Sequence, residues 1–287
     1  EMLRSKAWHL SIAWQQKDQE IAILKNHLLW LKQQLTLSQA LYAAGQSSQV
    51  ILLSLKSEIT KRELDLKLKT TDQDLLHDEL RYLFNQSFFF HPEDNMYAWL
   101  CHDSGKGQQG YQHPKEQALK SHLRAQKYDR LTKARERIPD IHFSLGSAFP
   151  VHQTSDHVSP ITMMVGFQWS IPLARFPAYD SSVQKELSAH MKLHDFQRQR
   201  ETKLIQLNKK KQILAEIRAR YSDTLIPEAE ARKKSVVVSF GLKNTDYREL
   251  LAAEISLLQV LEQEAVVSAD LLKVCVDLKY QLGEPLS

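Results

Sequence analysis

The sequence predicts a mainly α-helical protein built from long antiparallel helical hairpins of the coiled-coil type, with one β-hairpin embedded between them. Only eight glycines and nine prolines interrupt the 287 residues, which is too little turn chemistry for an all-β or ordinary α/β protein of this length. Several long stretches rich in Leu, Lys, Glu, Gln and Ala contain no helix breaker. After Pro139 the hydrophobic pattern changes to a period of two, which indicates strands.

The first helical hairpin is predicted at residues 1–86. The pattern is helical over residues 2–42 and again over 48–84, with only a short turn around Gly45 between them. Such a short turn makes the two helices antiparallel neighbours.

The middle of the chain divides into three further predicted segments. Residues 87–113 form an irregular segment, and residues 114–138 form a helix that leads into the strands. Residues 139–173 form the β-hairpin, with two strands of about ten residues each.

The second long helical hairpin is predicted at residues 174–287. A helical stretch covers 179–239, a turn covers 240–244, and a last helix continues to Leu282. At about 1.5 Å per residue, the return helices would be roughly 55 Å long and the helix before the second turn about 90 Å. These lengths suit a rod or a tube better than a compact globule.

Pro227 lies inside the longest predicted helix. A proline there removes one backbone hydrogen bond and obstructs the preceding turn, so we expect a bend rather than a helix end.

The last helix carries an apolar stripe at spacings of three and four, diluted by Glu254, Glu264 and Ser268. A plain antiparallel coiled coil fits this pattern, and so do helices that wall a water-filled tube. The stripe consists of Tyr247, Leu250, Leu257, Leu261, Leu271, Cys275, Leu278 and Leu282.

The two cysteines match no redox or metal motif. Cys101 and Cys275 have neither Cys-x-x-Cys nor Cys/His ligand spacing, and one pair cannot make a disulfide framework. We interpret Cys275, which lies on the apolar stripe, as a small core residue.

The predicted β-hairpin has one bulky apolar face and one small or polar face. Tilted strands of a transmembrane barrel have this alternation, and so has a half-buried hairpin of a soluble protein. A membrane position requires further strands, because two strands leave unpaired edges. The predicted lipid-facing residues are Phe143, Leu145, Met163, Val165, Phe167 and Trp169.

Charge and motifs exclude several classes of function. The formal net charge is +4, and basic residues alternate with acidic ones, so no nucleic-acid partner is predicted. No phosphate-binding loop or nucleophile motif is present, so we predict no enzyme, no catalytic residue and no cofactor. His190 and His194 lie four residues apart, but two ligands without a third are typical of surface histidines, and no metal site is predicted.

The order of several short motifs resembles the TolC-like outer-membrane factors, nearest to the metal-efflux branch. Ala134-Arg135 and Pro139-Asp140 lead into the first strand, and Ile171-Pro172-Leu173 leaves the second. The closing hairpin matches at Tyr221, Leu225, Pro227, Ala229, Glu230, Gly241, the stretch 250–253 and the stretch 278–283.

This resemblance implies a homotrimer in the outer membrane. Each subunit would contribute strands to a shared trimeric transmembrane β-barrel and helical hairpins to a periplasmic coiled-coil tunnel. A periplasmic adaptor (membrane fusion) protein and an inner-membrane pump would be its partners, and outer-membrane lipid would surround the barrel. The adaptor would contact the periplasmic tip, formed by Tyr42, Gly45, Gln46, Ser47, Phe240, Gly241, Lys243, Asn244 and Asp246.

The family pattern contains two β-hairpins, and only one is present here. The other is expected before Glu1, together with a signal peptide and often a lipidated cysteine.

The predicted function is a passive exit duct of a tripartite efflux pump or type I secretion system, which passes small molecules or metal ions out of the cell. The alternative is a soluble structural coiled-coil or periplasmic adaptor-type protein. A third possibility is a remnant without duct activity.

Overall fold

The computed structural model describes residues 2–45, 48–84, 100–101, 113–138, 140–148, 162–170, 176–242 and 246–284. The helices are α1 (Met2–Ala43), α2 (Gln49–Phe84), α3 (Pro114–Glu136), α4 (Phe176–Arg220), α5 (Ile226–Gly241) and α6 (Tyr247–Leu282). The strands are β1 (Asp140–Ala148) and β2 (Thr162–Ser170), which pair antiparallel. The predicted fold class of long helical hairpins with an embedded β-hairpin is confirmed.

The chain divides into two compact units. The helical unit comprises residues 1–113 and 201–287, and the strand-bearing unit comprises residues 114–200. In the helical unit, α1 packs against both α2 and α6, and α6 also packs against α5.

Two clusters of buried apolar side chains hold the helical unit together. The turn-side cluster consists of Leu28, Leu31, Leu55, Ile59, Tyr247 and Leu250. The disulfide-side cluster consists of Ile12, Leu100, Ala269, Leu271, Leu272, Cys275 and Val276. Because the start of α1 meets the end of α6, and the later part of α1 meets the start of α6, these two helices run antiparallel.

Most of the apolar stripe predicted on α6 faces the core. Leu261 is only half-buried, and Leu282 is exposed. Glu254, which interrupts the stripe, is buried and forms an ion pair of 2.7 Å with Lys233 of α5. The stripe residues that are buried are Tyr247, Leu250, Leu257, Leu271, Cys275 and Leu278.

The turn between α1 and α2 depends on Gly45. Its φ is +71°, in the left-handed region that glycine adopts without steric cost, and its N–H donates to the Tyr42 carbonyl at 2.9 Å. Gly241, the last residue of α5, does not have a positive φ. The two turns align in the sequence at an offset of 196 residues, which pairs Gly45 with Gly241. The two glycines nevertheless have different backbone roles.

The chain remains helical through Pro227. A five-residue π turn, Tyr221–Leu225, joins α4 to α5, and Ile226 N–H donates to the Tyr221 carbonyl. Pro227 follows as the second residue of α5. The wider π turn accommodates the proline without ending the helix.

Cys275 is a buried core residue, as the apolar stripe predicts, but it also forms a disulfide with Cys101 that the sequence analysis did not predict. The Cα atoms are 5.3 Å apart, within the range that a disulfide requires. A separation of 174 residues leaves no spacing signal in the sequence. The pairing arises because Leu100 packs into the disulfide-side cluster and brings Cys101 onto α6.

Removing the disulfide should destabilise the helical unit. We expect the Cys101→Ala/Cys275→Ala double variant to lose about 2–5 kcal/mol of unfolding free energy, since the crosslink closes a very long loop. Urea unfolding of the full chain measures this. The unsubstituted chain with reductant is the control, and an unchanged midpoint in both would contradict the disulfide.

The two aligned glycines should respond oppositely to alanine. Gly45→Ala should cost about 1–2 kcal/mol, because alanine is strained at a left-handed φ. Gly241→Ala should be neutral or stabilising by up to about 1 kcal/mol, because alanine is the better helix former. An added Cβ meets no atom within 4 Å at either position, so urea unfolding compares backbone conformation alone. Equal effects would contradict the difference in φ.

Candidate functional surfaces

The two helical turns carry the residues that the sequence places at a tip. Tyr42 and Gly45 are exposed, and Gly241 is exposed at the end of α5. Phe240 is half-buried, and its ring packs edge-on against Tyr247 with centroids 6.1 Å apart. The predicted residues Gln46, Ser47, Lys243 and Asn244 lie outside the described residues.

Asp246 is exposed and immediately precedes α6. Its carbonyl accepts a hydrogen bond from Glu249 N–H at 3.0 Å, and its backbone is extended, as expected at an N-cap. A carboxylate there also interacts favourably with the helix dipole.

Both turns lie at the same end of the helical unit. Ile51 is close to the first turn, Phe240 and Tyr247 flank the second, and all three belong to or pack against the turn-side cluster. One cluster therefore supports the four helix ends that meet the two turns. The structure thus brings together two segments that are about two hundred residues apart in the sequence.

Exposed apolar side chains close to these turns were missed by the sequence analysis. Val50 and Leu53 lie at the start of α2, and Val238 and Leu242 at the end of α5. Each projects away from the buried face of its helix. The sequence signal that could have found them is an apolar residue on the otherwise polar face of each helix.

The β-hairpin presents bulky apolar side chains to solvent. Phe143 is 78% exposed, Leu145 84% and Val165 73%. Leu145 is directly opposite Val165, and these residues share one face of the sheet. By register Met163, Phe167 and Trp169 have the same parity, but their side chains lie outside the described part of the chain.

The opposite face of the hairpin carries the small residues Ser144, Gly146 and Gly166. Ser144 is directly opposite Gly166, and a Cβ on Gly166 would lie 2.4 Å from Ser144 Oγ. A larger residue at position 166 would therefore require the Ser144 hydroxyl to rotate away.

Polar contacts hold the two helices that flank the hairpin. Glu116 of α3 is buried and accepts hydrogen bonds from Lys120 at 2.9 Å and Gln197 at 3.1 Å, and it also pairs with Arg200. These hydrogen bonds, and the nearby positive charges, lower the pKa of Glu116. It therefore remains charged and ties α3 to α4.

Arg137 joins the two ends of the hairpin. Its guanidinium lies 4.4 Å from the ring centroid of Phe176 and 4.5 Å from that of Tyr179. Such cation–π contacts connect the residue after α3 to the first turn of α4. These contacts thus hold the end of α3 and the start of α4, which flank the β-hairpin, close together.

A charged cluster lies between α1, α2 and α6 in the helical unit. Glu20 is 3% exposed, and Lys69 Nζ lies 2.7 Å from its carboxylate and 3.5 Å from that of Glu262. Burial alone raises the pKa of Glu20, but the hydrogen bonds from Lys69 and Gln16 outweigh it and lower the pKa overall. The cluster connects three helices through ions that remain charged.

The described residues contain no group of three side chains suited to a metal ion. His190 and His194 are both exposed on α4. No helix among the described residues is long and apolar enough to cross a membrane.

No protein-family model and no curated protein matches the chain, whereas solved structures match nearly all of it. The chain is similar to the outer-membrane channel OprN with a TM-score of 0.77 and 14% identity, over 99% of this chain and 66% of that one. It is similar to the outer membrane protein VceC from Vibrio cholerae with a TM-score of 0.74 and 14% identity, over 100% of this chain and 71% of that one. It is similar to CusC, described as forming a transmembrane channel, with a TM-score of 0.76 and 13% identity, over 99% of this chain and 68% of that one.

The chain spans about two thirds of the length of these structures. The matched part contains both helical hairpins and the β-hairpin that connects α3 to α4. Since likeness at this level of identity describes architecture, the chain has the fold of the TolC-like outer-membrane channels.

Proposed function

We propose that the chain is part of an outer-membrane exit duct of an efflux or secretion system. In this proposal three copies form the duct, with the β-hairpins in a shared barrel in the outer membrane and the helical hairpins in a periplasmic tunnel. Small molecules or metal ions pass through passively, and an inner-membrane pump supplies the energy.

The observation that carries the proposal is the apolar face of the β-hairpin. Phe143, Leu145 and Val165 are each at least 73% exposed, although each would gain roughly 1.5–3 kcal/mol from burial. Adjacent exposed apolar residues of this kind mark a surface that contacts a membrane or another protein. Contact with lipid also accounts for the small residues on the opposite face, which would line the duct.

A barrel shared between copies resolves the problem of the strand edges. Two strands alone leave unpaired N–H and C=O groups, each of which costs several kcal/mol in lipid. Strands from other copies would pair these edges and close the barrel.

The disulfide supports a location outside the cytoplasm. Disulfides persist in oxidising compartments such as the bacterial periplasm and are rare in the cytosol. Cys101 and Cys275 connect parts of the helical unit, which is the part that the proposal places in the periplasm.

The turn-bearing end of the helical unit is proposed to contact a periplasmic adaptor protein. Both turns lie at this end, and Val238 and Leu242 add exposed apolar area. The proposed contact set is Tyr42, Gly45, Gln46, Ser47, Phe240, Gly241, Lys243, Asn244 and Asp246.

The proposal is tested by the molar mass of the native protein extracted from the cell envelope. Light scattering with the detergent contribution subtracted should give a trimer, because the barrel requires strands from several copies. A monomer or dimer that is soluble without detergent would instead indicate a soluble coiled-coil protein.

A charge on the apolar face should prevent membrane insertion. We expect Val165→Lys to reduce the amount of trimer in the outer membrane at least several-fold, because lysine on the lipid face costs about 2–4 kcal/mol per subunit. Ser144→Lys, on the opposite face of the same hairpin, is the matched control and should insert normally. Fractionation of the envelope followed by native electrophoresis measures both, and equal insertion of the two variants would refute the lipid contact.

A further inference from the structure

His27 of α1 is a buried histidine whose ring has no hydrogen-bond partner among the described residues. It is 3% exposed, and both Nδ1 and Nε2 are unpaired. Buried polar groups are nearly always paired, because an unpaired one costs about 1–3 kcal/mol. The position therefore needs an explanation other than stability.

The surroundings of His27 are apolar on its own helix. Its ring stacks on that of Trp30, with centroids 6.0 Å apart and an interplanar angle of 12°. The adjacent Leu28 and the nearby Leu31 belong to the turn-side cluster. His27 therefore lies where α1 joins the helices that carry the two turns.

Charged groups from two other helices, α2 and α5, act on this ring, and each of the two cations is in an ion pair. On α2, Arg62 lies 2.8 Å from Glu58. On α5, Lys233 lies 5.8 Å from the Trp30 ring centroid and 2.7 Å from Glu254 of α6. A proton on His27 would thus be added close to two cations, on a ring that makes no hydrogen bond to any carboxylate among the described residues.

Burial first, and then the positive charges of Arg62 and Lys233, lower the pKa of His27 to about 4, although Glu58 opposes them. The ordinary value is 6.5. At neutral pH the ring is uncharged, and the packed arrangement carries no electrostatic penalty at this position.

We propose that His27 is a pH-sensitive switch, in which protonation of its ring loosens α1 from α2 and α6 at the turn-bearing end of the helical unit. An arrangement that exposes the ring to water accepts the proton, and the packed arrangement does not. Acid therefore favours the loosened form. The switch is a property of the helical unit and does not depend on the proposed duct.

The direction and size of the effect follow from linkage. The pKa of His27 is lower in the packed form, so the packed form is fully favoured above pH 6.5 and loses this advantage as the pH falls towards 4. At pH 5 the opening equilibrium should be about 30-fold larger than at pH 7.5, if the exposed ring has its ordinary pKa.

Hydrogen exchange of the full chain, with its disulfide intact, tests the proposal. Exchange is measured at pH 7.5 and 5.0 and corrected for the chemical dependence of the rate on pH. Residues 24–31 and 247–258 should lose protection at pH 5.0, whereas residues 269–276 of the disulfide-side cluster should retain it. Unchanged protection at the turn-bearing end, or an equal loss at both ends, would overturn the proposal.

Two variants and a control separate His27 from the carboxylates that also titrate in acid. His27→Gln and His27→Met should each abolish the roughly 30-fold change, since neither side chain accepts a proton in this range. His190→Gln removes an exposed histidine and should retain the full change. If both His27 variants keep the pH dependence of the unsubstituted chain, the switch is not His27.

Discussion

The packing of α1 against two helices at once is the constraint on which the rest of the helical unit depends. One helix must bury a face broad enough for both α2 and α6, so its buried residues extend beyond a single stripe. Ile12 packs with the end of α6, whereas Leu28 and Leu31 pack with its start and with α2. These contacts bring the two helical hairpins together and leave their turns at one end.

A helix that is buried on two sides also encloses polar residues. Glu20 and His27 both lie within the buried face of α1, and the structure treats them differently. Glu20 forms ion pairs with Lys17 and Lys69 and accepts a hydrogen bond from the Gln16 amide, and these contacts keep it ionised. The His27 ring makes no hydrogen bond among the described residues, and its environment keeps it neutral. The same packing thus produces a stable ion-pair connection at Glu20 in the middle of α1. Nearer the turns, it produces a site at His27 that responds to pH.

The strand-bearing unit is held together differently from the helical unit. The strand side chains Phe143, Leu145 and Val165 are exposed, and the unit is connected by polar contacts between the flanking helices and by the pairing of β1 with β2. Glu116 and Arg137 hold the helix pair and the base of the hairpin, so the apolar face needs no core beneath it. Such a hairpin is suited to an apolar environment, which supplies the burial that the chain itself does not.

The sequence by itself determined the elements of this protein. The scarcity of glycine and proline, the long stretches without helix breakers and the alternation in the β-hairpin are local patterns, and local hydrogen bonding translates them directly into helices and strands. The resemblance to TolC-like factors likewise depended on short motifs in order along the chain. The tertiary structure alone decided the Cys101–Cys275 disulfide, the Glu20–Lys69–Glu262 cluster and the unpaired ring of His27. These depend on which residues of distant helices meet, and helical periodicity specifies the buried face of a helix but not its partner.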